Sequence, residues 1–107
     1  MTVVVISGTP GSGKTSLARE LAAGDKIGVH IESDVFFRFV AHRVDPSSPA
    51  AYVQNEIVVH AYLAAVAEYA KGGYTVYLDG VIGPWLLPTI EPFIPKLDYV
   101  LLHAPLE

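Results

Sequence analysis

The residues best spaced to do chemistry lie in one run, Gly8-Thr9-Pro10-Gly11-Ser12-Gly13-Lys14-Thr15. Its pattern, G-x-x-x-x-G-K-T, is that of a phosphate-binding P-loop. Glycines at 8, 11 and 13 can take backbone angles closed to other residues, so successive N–H groups can turn inward as an anion nest. Lys14 is then expected to reach the β- and γ-phosphates, and Thr15 to offer its hydroxyl to Mg²⁺. A helix opening at this point adds unpaired N–H groups and the positive end of its dipole. Gly8 through Ser16 is the expected nucleotide-binding set, with ATP or GTP and Mg²⁺ as its ligands.

Carboxylates follow at two more places. Glu32 and Asp34 come directly after the apolar run Ile27-Gly28-Val29-His30-Ile31, and Asp79 follows Tyr74-Thr75-Val76-Tyr77-Leu78. In a parallel α/β sheet, ligands bind outside the carboxyl ends of the strands, so all three acids belong beside the loop. Asp34 is the candidate base that takes a proton from an acceptor hydroxyl, and Glu32 a weaker one; the other reading is that Asp34 only caps the next helix. Asp79 stands at the Walker B position, where a carboxylate holds Mg²⁺ or hydrogen-bonds Thr15. A plain Asp-Gly turn is its competing reading. Arg38, four residues beyond Asp34, is read as an anion clamp or as an ion-pair partner of Asp34.

Several elements must position these groups. Val3-Val4-Val5-Ile6 suits a strand buried on both faces, and Ser16 to Ala23 a helix closed by Gly24 in the left-handed conformation. Val35 to Arg43 reads as a short helix with Phe36, Phe39 and Val40 on one face, as core or pocket wall. The loop Asp45-Pro46-Ser47-Ser48-Pro49 ends in an N-cap, Ser48, with Pro49 at the first helical position. A long helix then runs to about Lys71 with Val53, Ile57, Ala61 and Ala64 recurring on one face, and Gly72-Gly73 stops it. Gln54, Asn55 and His60 are read chiefly as solvent-facing or core residues. Pro84 is a helix-start candidate, and Trp85 is read as a packing residue whose place near a strand end also allows a substrate-pocket wall. Leu97 to His103 forms the last strand, and Ala104-Pro105-Leu106-Glu107 begins a further helix.

Composition bounds the function. The 107 residues suit one domain spanning 1–107, and 51% hydrophobic content supports a packed core. A net charge of -4 argues against a nucleic-acid surface. No apolar run has the length of a membrane span, and no basic, apolar leader precedes the first strand. With no Cys, thiolate metal sites and disulfides are excluded, which fits a cytoplasmic protein. A small-molecule ligand is expected.

Together, Gly8 to Thr15, Ile31-Glu32-Ser33-Asp34, Tyr77-Leu78-Asp79-Gly80 and the ending Tyr99 to Glu107 resemble the P-loop small-molecule kinases. The similarity is to chloramphenicol phosphotransferase-like, zeta-toxin-like and shikimate- or gluconate-kinase-like proteins. It implies a three-layer α/β P-loop fold with a parallel sheet in the order 2-3-1-4-5, here truncated after strand 4. It also implies transfer of the γ-phosphoryl group of ATP to a small-molecule hydroxyl, on an antibiotic, a sugar or a nucleotide sugar. Asp34 matches the family's base and Asp79 its Walker B acid, with Lys14 and Arg38 as the available cations. Members of these families continue into an arginine-bearing lid, whereas no arginine follows Arg43 here. Weak transfer is therefore expected of these residues alone, as is self-association through the truncated sheet edge. The alternative is a nucleotide-binding module or slow NTPase without phosphotransferase activity.

Overall fold

Val3-Val4-Val5-Ile6 lies at the centre of the sheet. The computed structural model describes residues 2–103. Strand β1 (Thr2–Gly8) pairs in parallel with β3 (Thr75–Gly80) on one side and β4 (Asp98–Leu102) on the other. Strand β2 (Gly28–Glu32) lies outside β3, which gives the order β2-β3-β1-β4. That order agrees with the family expectation through its fourth strand. Registers Ser7↔Gly80 and Glu32↔Asp79 align the carboxyl ends along one edge. The helical start expected from Ala104 to Glu107 lies outside the described residues.

Strand alternation splits the apolar residues between two layers. Val3, Val5, Val76 and Leu78 share a core with Val59, Tyr62, Leu63 and Val66 of helix α3 (Tyr52–Lys71). Helix α1 (Lys14–Ala23) packs on β2 and β3 through the opposite face, burying Ala18 completely. Gly28 lies so close to the end of α1 that a Cβ there would collide with the backbone of Ala22.

The buried face of α3 differs from the one the spacing suggests. Val53 and Ile57 are 66% and 64% exposed, with Ala61 and Ala64 also outward, while Val58, Val59, Tyr62, Leu63, Val66, Ala67 and Ala70 are buried. The helix carries two apolar stripes at helical spacing, and the one holding the bulky Tyr62 and Leu63 gains more by burial. A 3₁₀ turn, Pro49–Ala51, precedes α3, and Ser48 caps it by accepting from the Ala50 N–H at 3.2 Å. Gly73, at φ +98°, ends the helix in the left-handed region, whereas Gly24 closes α1 in the right-handed region (φ -81°).

Helix α2 covers Ser33–Arg38, shorter at its far end than the expected span to Arg43. Phe39 is 70% exposed, so a longer helix would gain no burial there. The chain beyond is held from outside instead: Gln54 accepts from Val44 N and donates to Val44 O, both at 2.8 Å. Pro84 opens a 3₁₀ turn, Pro84–Leu86, which leads into the short helix α4 (Leu87–Ile90). Among the described residues no helix is long and apolar enough to cross a membrane.

Candidate active site

The loop between β1 and α1 has the shape its glycines permit. Gly11 and Gly13 both sit at φ +84°, and Ser12 N–H donates to Thr9 O at 3.1 Å. A Cβ on Gly8 would strike Ser12 Oγ, so the strand end and the loop need that glycine. Ser12 Oγ is buried without a hydrogen-bond partner among the described residues. Lys14 is only 8% exposed, and the sole ion pair among the described residues lies elsewhere. A buried cation without a carboxylate and an orphaned hydroxyl both want an outside partner. A phosphate chain would supply both.

Thr15 Oγ1 donates to Asp79 Oδ1 at 2.8 Å, the contact expected of the Walker B position. Asp79 is 1% exposed, and its second oxygen, Oδ2, meets Nε2 of His30. In the sequence His30 stands out only as a residue of the strand run Ile27 to Ile31. The signal was the alternation in β2: His30 and Glu32 share a face, and Glu32 registers with Asp79. Reading that signal requires knowing that β2 and β3 are neighbours. Thr15 and Asp79 are the residues that would hold a Mg²⁺ ion at this corner, where it would offset phosphate charge.

Asp34 is an exposed side chain in the first turn of α2 and makes no capping bond. It lines an open cleft of about 440 Å³ with Phe37, Asn55, Tyr62, Val81 and Trp85. Burial, with the Asp34 charge second, pushes the Tyr62 phenol up to about 12. A second cleft of about 580 Å³ adjoins it, sharing Asn55, Val59, Trp85 and Leu86, and reaches Glu56 and His60. Asn55 also donates to Pro46 O at 2.9 Å, and the His60 ring lies 5.6 Å from that of Phe93.

Other expectations require correction. Trp85 is 73% exposed on the lip of both clefts, which fits its reading as a pocket wall and not that as a packing residue; its ring folds over Gly83, where a Cβ would collide with it. Arg38 lies exposed at the end of α2, lines neither cleft and makes no ion pair with Asp34. Glu32, half-buried at the end of β2, also stays outside the cleft lining. The segment after β3 is fixed from two sides: Ile82 N–H donates to Ser7 Oγ at 2.9 Å, and the Tyr99 hydroxyl donates to Ile82 O.

The profile of the AAA domain family matches residues 3–81, which takes in the loop, Asp34 and Asp79. The chain belongs to that family. This AAA domain is also 34% identical to a cytidylate kinase of Pyrobaculum calidifontis over 102 residues, 94% of the chain and 53% of that protein. It thus spans about half the length of the curated relatives it matches. Among solved structures, a chain of the Pnkp1/Rnl/Hen1 complex superposes with TM-score 0.76 at 20% identity, over 97% of this chain and 36% of that one. A gluconokinase from Sinorhizobium meliloti gives TM-score 0.59 at 19% identity, over 94% and 56%. At such identities these structures share the fold. The AAA domain thus has a P-loop kinase-like fold and is similar in sequence to cytidylate kinases.

Proposed function

We propose that this AAA domain transfers the γ-phosphoryl group of ATP to a hydroxyl of a small molecule seated beside Asp34. The observation that carries the reading is Asp34 itself, a carboxylate free of ion pairs among the described residues, facing a cleft at the sheet edge that carries the P-loop. The loop N–H groups, Ser12 and Lys14 hold the triphosphate. Asp34 accepts the acceptor's proton as its oxygen bonds phosphorus, and ADP leaves with the electrons of the broken P–O bond. Mg²⁺, when bound, offsets the charge on the phosphate oxygens. Thr15 and Asp79 orient each other by their hydrogen bond, and His30 holds the far oxygen of Asp79. Similarity to a cytidylate kinase, and in fold to a gluconokinase, supports the reaction class and makes cytidine compounds the first acceptors to try.

Calorimetry with Mg²⁺·ATP, paired with a transfer assay, tests this. Lys14→Ala should abolish measurable binding. Asp34→Ala should leave nucleotide affinity within about twofold while slowing transfer by ~10²–10⁴, the usual worth of a general base. Unchanged transfer in Asp34→Ala would reject its role. Binding without any transfer would favour a nucleotide-binding module.

A further inference from the structure

We infer that the acceptor is a phosphate-free hydroxyl compound bearing a flat ring, a nucleoside rather than a nucleotide. This rests on the transferase reading above and concerns the acceptor cleft. The two clefts share a wall of Asn55, Val59, Trp85 and Leu86, and together form one trough that starts at Asp34. Asp34 and Glu56 are the acidic side chains of its lining, and no Lys or Arg joins them among the described residues.

The seven cations of the chain can be followed one by one. Lys14 is buried in the P-loop, and Arg19 lies on α1. Lys26 sits between α1 and β2, and Arg38 ends α2. Arg43 follows in the loop before α3, Lys71 ends α3 and Lys96 precedes β4. None of them lines the trough. A phosphate monoester brings roughly two negative charges at neutral pH, and here it would meet two carboxylates and, among the described residues, no Lys or Arg. Sites that select phosphates supply Arg or Lys forks. The trough supplies flat apolar surface instead. Phe37, Tyr62 and Trp85 line its Asp34 end, and Val81 presents an apolar side chain, 56% exposed, at the end of β3. Aromatic walls favour a ring stacked or set edge-on. Asn55 and His60 offer hydrogen-bonding groups for its substituents. The relatives named as cytidylate kinases would then differ from this domain in acceptor charge.

Trp85 is the only tryptophan of the chain and stands on the trough's lip, so its emission reports occupancy directly. Protein loaded with Mg²⁺·ADP is titrated with cytidine and, separately, with cytidine 5′-monophosphate. Cytidine should change the emission and bind at least about tenfold more tightly than the monophosphate. Glu56→Lys should improve monophosphate binding by about tenfold, the scale of reversing one charge near the ligand, and leave cytidine within about twofold. Equal or tighter binding of the monophosphate by the parent protein overturns the inference, as does silence of Trp85 toward both. Calorimetry with Mg²⁺·ATP on the same samples separates the two ideas. Monophosphate preference with intact ATP binding rejects only the acceptor class. Loss of ATP binding rejects the transferase reading, whatever fills the trough.

Discussion

Lys14, Thr15 and Asp79 are legible in the sequence because the loop pattern and the acid at a strand end each state a chemical need at fixed spacing. His30 is not, since its meaning arises only when β2 lies beside β3 and brings its ring to Asp79 Oδ2. Arg38 shows the opposite error. Its spacing from Asp34 permits an ion pair on a helix, yet the pair does not form. Tyr62, which no motif in the sequence singles out, is 2% exposed and its hydroxyl is held above the ordinary phenol range. Burial, then the Asp34 charge, raises the phenol from the ordinary 10.0 to about 12. The folded state therefore keeps a proton that the unfolded chain gives up. Its stabilising share is complete below about pH 10 and is lost as pH rises toward about 12. We expect Tyr62→Phe to remove an alkaline loss on the order of 2–3 kcal/mol. Urea midpoints compared at mildly and strongly alkaline pH would check it. Tyr77, also raised by burial and by its hydrogen bond to Asp25, should leave part of the slope in place. An identical pH dependence in the variant would count against the burial argument.

At the scale of elements, local chemistry reads well and orientation reads poorly. Ser48 and Pro49 mark the start of the α3 segment, and Gly72-Gly73 its end, because caps and breakers act on their own backbone. Which stripe of α3 faces the sheet depends on what the sheet offers, and two stripes fit the same period. The observed choice predicts unequal responses. Leu63→Ala, at a fully buried site, should cost ~2–5 kcal/mol. Ile57→Lys, on the outward stripe, should stay within about 0.5 kcal/mol. Chemical denaturation of both variants settles the matter. A large loss from Ile57→Lys together with a small one from Leu63→Ala would mean that the helix is rotated. The length of α2 is likewise beyond local reading, since Phe39 satisfies the apolar pattern yet remains exposed, with the edge of the Phe36 ring beside it.

For the whole molecule, the parallel sheet and the placement of its functional edge follow from alternating strand and helix signals. The trough does not, because its walls come from α2, the loop before α3, α3 itself and the segment after β3. Such convergence leaves no mark in any one stretch of sequence. The sheet order has a further consequence, during synthesis. β1 leaves the ribosome before the other three described strands, yet its hydrogen-bonding neighbours are β3 and β4, with Thr2 paired to Thr75 and Val4 to Asp98. At ~5–20 residues per second, translation leaves Val3-Val4-Val5-Ile6 without either neighbour for several seconds. A nascent chain stalled after Lys71 should accordingly be digested readily by protease within β1, and one extended well past Leu102 should resist. The strand that leads into the phosphate loop would then be the one most dependent on chaperone shelter before the chain is complete.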